Sequence, residues 1–361
     1  MQARQRRHGV SSNGEQRPRR TFSVLLGACL TSLGVAAAPA LHPQPVLLPG
    51  PPNSPARMAV IDRYKQAALP LAGHFQAFTH RSAQGGVMPY RLFTPERLEP
   101  GRKYPLVVFL HGAGGSGSDN AKQLQDANVY GALVWALPRN QRRFPAFVVA
   151  PQTDVNWPCV ILEPGRRPRL CPGLGMGAAL AFEIIDRLLA ERPIDPARIY
   201  VTGHSMGGAG TWHMIAQRPR FFAAAVPVCG LPDFSTASIV KDVPIWNFHG
   251  DADDIEPVTT SRRMIEAIRK AGGRPLYTEY PGVGHPSFAW AYTEPALPEW
   301  VFAQVASGLK GRREPIFDRL PAAAGRGLPP HRGQLQEFLH ADPLWTVRGS
   351  PWCEERERPP S

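Results

Sequence analysis

The sequence predicts an α/β fold in which helices cover both faces of a mostly parallel central sheet. Six short apolar runs, each ended by glycine or proline, have the composition of buried strands: PLVVFLHG, FPAFVVAPQ, RIYVTGHS, AAAVPVCG, VPIWNFHG and PLYTEYPG;. Two segments, GAALAFEIIDRLLAER and TTSRRMIEAIRKAG, repeat apolar residues at the spacing of an amphipathic helix;. The alternation of strands and helices favours parallel pairing, and the continuous hydrophobicity of the runs indicates burial on both faces.

Composition divides the 361-residue chain into four parts. Residues 1–40 have the pattern of an export signal, and the proline-rich residues 41–57 are expected to form a flexible lead-in;. Residues 58–310 carry the strands and helices of one α/β domain;. Residues 311–361 are rich in proline and arginine without a sustained period, which predicts a largely disordered tail;. A short helix within LQEFLHADPLW is the alternative for this tail.

The N-terminal segment RPRRTFSVLLGACLTSLGVAAAPA runs from arginines into an apolar stretch and ends in small residues, as cleavable export signals do;. Arg19 and Arg20 resemble the start of a twin-arginine signal, and cleavage is expected after Ala38 or Ala40;. The apolar stretch is too short for a stable membrane span. The sequence therefore predicts an exported protein, periplasmic or extracellular, with a lipid anchor at Cys29 as the minor alternative.

The net charge of +12 does not predict nucleic-acid binding, because six arginines and one glutamate in the first twenty residues supply +5 of it. No domain-long basic face with interleaved aromatic residues follows in the sequence. We therefore expect no nucleic-acid partner.

The five cysteines do not show the spacing of a metal site, so we predict no metal;. Cys159 and Cys171 flank a loop rich in proline and arginine, and they are the best candidates for a disulfide in an oxidising compartment;. Cys229 ends an apolar run and is expected to be a buried thiol of the core.

The stretch GHSMGGAGTW follows a predicted strand and fits the pattern G-x-S-x-G;. In this pattern a sharp turn between a strand and a helix exposes a serine hydroxyl, here that of Ser205, as a nucleophile. The helix expected to begin near Met206 would direct its first N–H groups at a developing negative charge. Because glycine and serine are common, the pattern arises by chance in about one chain in ten of this length, so it needs support from other motifs.

Three other polar motifs follow predicted strands, and the carboxyl ends of parallel strands meet at one edge of a sheet. LHGAGGSGSDN is a glycine-rich turn that can present backbone N–H groups, HGDADDIEP is rich in carboxylates, and GVGHPS contains His285. A serine nucleophile needs a base, for which His285 is the candidate, and a carboxylate that orients this base. Spacing alone does not choose among Asp251, Asp253, Asp254 and Glu256.

Together these motifs resemble the α/β-hydrolase esterases grouped with feruloyl and acetylxylan esterases, polyhydroxybutyrate depolymerase-like proteins and predicted peptidases related to prolyl oligopeptidase. The likeness spans about residues 87 to 305 and rests on MPYRLFTPERLEPGRKYPLVVFLHGAGGSGSDN, RPIDPARIYVTGHSMGGAGTW, VPIWNFHGDADDIEPV and YPGVGH. It implies the α/β-hydrolase fold, with Ser205 as nucleophile and His285 as base. The H-G-x-x-D pattern of this group selects Asp253 as the acid.

The resemblance also implies an oxyanion hole formed by the backbone N–H groups of Ala113 and Met206. Gly114 is the next candidate donor and a candidate residue of the substrate pocket. Trp157 lies outside the quoted motifs, and we expect it to wall the acyl or alcohol pocket together with the loop that follows it.

The predicted activity is hydrolysis of carboxylic esters, small or polymer-linked, through an acyl-enzyme and without a metal or organic cofactor. A serine peptidase with the same three residues is the alternative, which turnover of short peptides but not of esters would favour. A binding protein on the same scaffold is a weaker alternative, because a competent residue stands at each catalytic position. The sequence makes no prediction of oligomeric state.

Overall fold

An eight-stranded sheet forms the centre of the structure. The computed structural model describes residues 48, 50–161, 169–170 and 173–306. In chain order the strands are β1 (Gln76–Arg81), β2 (Val87–Phe93), β3 (Tyr104–Leu110), β4 (Phe147–Pro151), β5 (Val160–Ile161), β6 (Arg169–Leu170), β7 (Ile194–His204), β8 (Ala224–Val228), β9 (Trp246–Gly250) and β10 (Leu276–Tyr280).

The order across the sheet is β1-β2-β4-β3-β7-β8-β9-β10, and β5 and β6 form a separate antiparallel hairpin. All neighbours from β4 to β10 pair in parallel, whereas β2 is antiparallel to both β1 and β4. The carboxyl ends of β3, β7, β9 and β10 therefore open on one edge of the sheet, where α/β proteins bind their ligands.

Helices pack on both faces of this sheet. They are α1 (Pro55–Ala68), α2 (Asn128–Leu133), α3 (Pro138–Arg143), α4 (Met176–Glu191), α5 (Met206–Gln217), α6 (Ala237–Val240), α7 (Thr259–Lys270), α8 (Phe288–Ala291) and α9 (Ala296–Ala303). Side chains of β3 alternate between the two faces, as a strand requires. Val107 and Phe109 join a core layer with α1, α2, α8 and α9, whereas Leu106, Val108 and Leu110 join a layer with α4 to α7.

The six predicted strands are confirmed as β3, β4, β7, β8, β9 and β10, and the two predicted helices as α4 and α7. The sequence analysis did not identify β1 and β2, the antiparallel strands at one end of the sheet. Most residues of β1 are exposed, so this edge strand lacks the continuous apolar run that marks the buried strands;.

The N-terminal lead-in is more ordered than its proline content suggests. Helix α1 begins at Pro55, before the expected start of the domain. The Arg57 guanidinium pairs with the Glu294 carboxylate at 2.6 Å, and both side chains are buried. The indole N–H of Trp290 donates to the carbonyl oxygen of Pro52 at 2.9 Å. Long-range polar contacts thus join Pro52 and Arg57 to the chain after β10.

Some predictions fall on residues outside the described ranges, namely the export signal over 1–40, the tail over 311–361 and the role of Cys171. Cys159 is disulfide-bonded, but its expected partner Cys171 lies outside the described ranges. Among the helices that the structure describes, none has both the length and the apolar character needed to cross a membrane.

Candidate active site

Ser205 stands on a sharp turn between the end of β7 and the start of α5. Its φ of 54° lies in the left-handed region that non-glycine residues rarely occupy, so the turn is strained;. Two glycines make the turn sterically possible. A Cβ atom on Gly207 would clash with the carbonyl oxygen of Leu110, and one on Gly203 would clash with the carbonyl oxygen of Gly207. The predicted strand, turn and helix are thus present, and the Ser205 side chain is partly exposed.

Three side chains from different parts of the sequence meet beside this turn. The imidazole Nε2 of His285 lies 2.9 Å from Ser205 Oγ. On its other side, His285 Nδ1 lies 2.8 Å from Asp253 Oδ2 and 3.0 Å from Asp253 Oδ1. Because a carboxylate only accepts hydrogen bonds, the proton of neutral His285 sits on Nδ1, and Nε2 accepts from the Ser205 hydroxyl. This arrangement can take up the hydroxyl proton of Ser205.

Asp253 is held as a carboxylate by four donors. Burial of Asp253 opposes ionisation, but hydrogen bonds from His249 and His285 outweigh it and bring the pKa of Asp253 well below its usual range. The backbone N–H groups of Ile255 and Glu256 also donate to Oδ1, at 3.0 and 2.9 Å. Among the four acidic candidates, Asp253 is the residue that contacts His285, whereas Asp251 accepts from the N–H of Gly282.

The glycine-rich turn after β3 lies against the Ser205 turn. A Cβ atom on Gly112 would stand 3.4 Å from the carbonyl oxygen of His204. Ala113 and Met206 each begin a helical segment, so their N–H groups have no partner within that segment;. No hydrogen bond from either N–H to other described residues is present. Both groups are therefore available to an incoming acceptor.

His111 fixes the direction of the peptide group between Gly112 and Ala113. Its Nδ1–H donates to the Gly112 carbonyl at 2.8 Å, and its Nε2 accepts from the N–H of Thr153 at 3.1 Å. Burial lowers the pKa of His111 to about 4, which keeps the imidazole neutral in this tautomer;. In a trans peptide the C=O and N–H point in opposite directions, so a carbonyl held by His111 turns the Ala113 N–H outward.

Trp157 does not occupy the predicted position in a pocket wall. Its side chain has no exposed area, because the ring packs against His111 and its indole N–H donates to the His111 carbonyl at 2.9 Å. Trp157 therefore supports the glycine-rich turn from the protein interior. Gly114 is exposed, and a Cβ atom added there would meet nothing within 4 Å.

Cys229, at the end of β8, is a fully buried free thiol, as the sequence predicts. Its sulfur, a carboxylate oxygen of Asp253 and a ring nitrogen of His285 lie within 4.8 Å of one another, the spacing of a potential metal cluster. Burial and the nearby Asp253 charge raise the pKa of the Cys229 thiol, so it stays protonated. The His285 and Asp253 atoms of this group hydrogen-bond to each other.

The sequence of this region matches a known protein family. Residues 99–290, more than half of the chain, match Phospholipase/Carboxylesterase, and this range contains the turns that carry Ala113, Ser205, Asp253 and His285. The chain belongs to the Phospholipase/Carboxylesterase family. Its fold is therefore the α/β-hydrolase fold that the resemblance implied.

Relatives of this carboxylesterase family member cover different shares of the chain. Poly(3-hydroxyalkanoate) depolymerase C of Paucimonas lemoignei is 36% identical over 137 residues, which are 36% of this chain and 28% of that protein. A bifunctional acetylxylan esterase/xylanase of Neocallimastix patriciarum is 24% identical over 281 residues, 75% of this chain and 35% of that protein. The chain thus spans about a third of the length of these curated relatives.

A solved structure, that of a thermostable esterase, matches this chain with a TM-score of 0.61 and 42% sequence identity. The match covers 65% of this chain and 64% of the esterase.

Two residues near Asp253 have contacts that the sequence analysis missed. His249 Nε2 lies 3.1 Å from Asp253 Oδ2, and His249 Nδ1 lies 2.8 Å from Ser261 Oγ. The signal for His249 was its position in the same H-G-x-x-D pattern that selected Asp253. Ser261, inside α7, carries no sequence signal that distinguishes it from other helical serines.

Proposed function

We propose that this protein is a serine hydrolase that cleaves carboxylic esters, with Ser205 as nucleophile, His285 as general base and Asp253 as the carboxylate that orients it. The hydrogen-bonded path Ser205–His285–Asp253 carries this proposal. It is supported by membership of the carboxylesterase family, by the strained turn at Ser205 and by the free N–H groups of Ala113 and Met206.

In the acylation step, Ser205 Oγ attacks the ester carbonyl carbon while His285 Nε2 takes the hydroxyl proton. The carbonyl π electrons move onto oxygen, and the N–H groups of Ala113 and Met206 donate to that oxyanion. Each such donor contributes about 10²- to 10³-fold to kcat. When the tetrahedral intermediate collapses, the bond to the alcohol oxygen breaks and the imidazolium gives its proton to the leaving alkoxide. An acyl-enzyme remains at Ser205.

In the deacylation step, water replaces the alcohol. His285 takes a proton from water as its oxygen attacks the acyl carbon, the oxyanion forms again against the same two N–H groups, and the bond to Ser205 Oγ breaks. His285 returns the proton to the serine oxygen. Asp253 stays ionised throughout, because its donors stabilise the charge, and it favours the transient imidazolium;.

The proposed substrates are small or polymer-linked esters. The printed names of the relatives, a poly(3-hydroxyalkanoate) depolymerase and an acetylxylan esterase, refer to esters attached to or forming polymers. The exposed positions of Ala113 and Gly114 leave the oxyanion side of the site open to a long chain. Because residues 1–40 have the pattern of an export signal, we include export to the periplasm or the medium in the proposal;.

The test is hydrolysis of a panel of p-nitrophenyl, acetyl, feruloyl and polyester substrates by the wild-type protein and two variants. Ser205→Ala is expected to lower kcat to the uncatalysed background for each ester that the wild type cleaves. Ser82→Ala, in the turn between β1 and β2, is the matched control and is expected to retain wild-type rates. Retention of ester hydrolysis by Ser205→Ala would overturn the proposal, and cleavage of short peptides in place of all esters would favour the peptidase.

A further inference from the structure

The Asp253 carboxylate lies between two imidazoles, of which the proposed mechanism uses only one. His285 Nδ1 approaches Asp253 Oδ2 at 2.8 Å, and His249 Nε2 approaches the same oxygen at 3.1 Å. His249 lies on β9 and has no exposed area. It therefore contacts neither substrate nor solvent.

The hydrogen-bond partners of His249 indicate its tautomer. Its Nε2 faces two atoms that can only accept, Asp253 Oδ2 and the carbonyl oxygen of Glu256, the latter at 2.8 Å. The Nε2 proton is therefore present and is shared between them. At Nδ1 the partner is the Ser261 hydroxyl, which can donate to an unprotonated ring nitrogen;. We assign the Nε2–H tautomer, in which His249 accepts from Ser261 and donates to Asp253.

Five side chains thus form one hydrogen-bonded series with Asp253 at its centre. Ser205 donates to His285 and His285 to Asp253, while on the other side Ser261 donates to His249 and His249 to Asp253. Both halves of the series consist of a serine and a histidine joined to Asp253, but the two serines differ in their exposure to solvent. Ser205 is partly exposed, whereas Ser261 is fully buried in α7.

We propose that His249, held by Ser261, is a positioning residue that fixes the orientation of the Asp253 carboxylate and weakens the electrostatic attraction of this carboxylate for the proton of His285. This inference rests on the proposed function of Ser205, His285 and Asp253. Without the His249 donor, Oδ2 would keep His285 as its single partner, and the orientation of the carboxylate would depend on the backbone N–H groups that hold Oδ1. Its charge would also act more strongly on the His285 imidazolium, which would then hold its proton to higher pH.

Titratable groups from several elements lie near this series, and among them His204 at the end of β7 interacts electrostatically with His285. Asp253 is faced by His249 from β9, by His285 from the turn after β10 and by Cys229 from the end of β8, with Glu256 in its own loop. His249 is paired in register with Glu279 of the neighbouring strand β10. The Glu279 carboxylate is neutralised by Arg262, which donates to it from α7.

The experiment measures kcat, KM and the pH dependence of kcat/KM for two substitutions of His249. His249→Leu removes the donor, whereas the side-chain N–H₂ of His249→Gln replaces it at the distance of Nε2 from the backbone. For His249→Leu we expect kcat about 10- to 100-fold lower, since slight misplacement of a catalytic group costs up to this factor, with KM within about twofold. The acid limb of the profile should move to higher pH by up to about one unit.

His249→Gln should recover most of kcat and return the acid limb towards that of the wild type. His80→Gln is the matched control, because His80 is also a buried histidine bonded to a carboxylate, that of Glu183, but lies on β1. It should change stability without moving the acid limb. Ser261→Ala should shift the limb in the same direction as His249→Leu, by a smaller amount.

A proton NMR spectrum of the wild-type protein supplies a readout that does not depend on folding of a variant. Low-field imidazole N–H resonances are expected from His285 Nδ1 and His249 Nε2, alongside those of other buried histidines such as His80 and His111. The absence of an assigned His249 Nε2–H resonance would overturn the proposal. An unshifted limb with unchanged kcat in folded His249→Leu would overturn it too, as would equal losses in the Leu and Gln variants. Any of these results would reject the role of His249 while Ser205 remained essential for hydrolysis. Ester hydrolysis by Ser205→Ala would instead reject the proposed function.

Discussion

Replacement of His111 tests whether a buried side chain sets the direction of the Ala113 N–H. The variant His111→Leu keeps an apolar side chain of similar size but removes both ring nitrogens. The wild-type ring donates to the Gly112 carbonyl at 2.8 Å and accepts from the Thr153 N–H at 3.1 Å. After the change, the Thr153 N–H is buried without its acceptor, and the Gly112 carbonyl keeps only the N–H of Gly115 at 2.9 Å.

The size of each effect follows from these contacts. Leaving a buried N–H unsatisfied costs about 1–3 kcal/mol and losing the second bond about 1 kcal/mol, so the free energy of unfolding should fall by about 2–4 kcal/mol. Removal of one oxyanion donor lowers kcat by about 10²- to 10³-fold. Because Gly115 still holds the Gly112 carbonyl, we expect a loss near 100-fold, the lower end of that range. KM should change little, since the donor acts on charge that develops in the transition state.

The assay compares ester hydrolysis and urea unfolding of His111→Leu and His111→Asn. The side-chain amide of Asn places an N–H near the position of Nδ1, so this variant can still donate to Gly112 but cannot accept from Thr153. We expect it to lose stability and to keep kcat within about tenfold of the wild type. A His111→Leu variant that loses stability yet keeps wild-type kcat would refute the link between His111 and the oxyanion hole.

Three further outcomes follow from buried or exposed positions. Arg57→Met leaves the buried Glu294 carboxylate without its cationic partner and should lower the free energy of urea unfolding by about 3–5 kcal/mol;. Adding Glu294→Gln should recover much of the loss, and an equally unstable double variant would contradict this. Burial lowers the pKa of His111 to about 4 and that of His204 to about 3, so the unfolded chain binds more protons than the folded chain below pH 6.5;. Each histidine should therefore lower the free energy of unfolding by about 2 kcal/mol between pH 7 and pH 5. Urea midpoints that do not fall over this range would reject the prediction. Gly114→Ala adds a methyl group to open space, so the free energy of unfolding should stay within about 0.5 kcal/mol of the wild type;. The value of kcat/KM should fall more for esters with bulky acyl groups than for esters with small ones. A uniform loss across acyl sizes would show that Gly114 does not face the substrate.

The central strands were predictable because burial on both faces leaves a local signature. The run that ends at Leu110 is apolar without interruption, and the run that ends at His204 is apolar over residues 199–201. Parallel pairing brings the carboxyl ends of both strands to one edge. The contacts of the N-terminal segment had no such signature. Arg57 and Glu294 are 237 residues apart in sequence, and a lone arginine in a proline-rich stretch is indistinguishable from a solvated one.

The site shows the same division between local and long-range information. The turn at Ser205 and the loop of His285 follow from glycines and strand ends, which are local. The choice of Asp253 among four acids depends on which carboxylate reaches His285, and sequence spacing does not contain that distance; the family resemblance did select it. Trp157 was misjudged because an aromatic residue near a loop can face either the pocket or the core, and its hydrogen bond to the His111 carbonyl turns it inward.

The central claim, that Ser205 is an activated nucleophile, is tested most directly by a fluorophosphonate probe followed by peptide mass spectrometry of the folded protein. We expect one equivalent of label, located on the peptide that contains Ser205, with labelling slowed strongly in His285→Ala and absent in Ser205→Ala. Stoichiometric labelling of another residue, or no labelling of a folded protein that still hydrolyses esters, would contradict the claim.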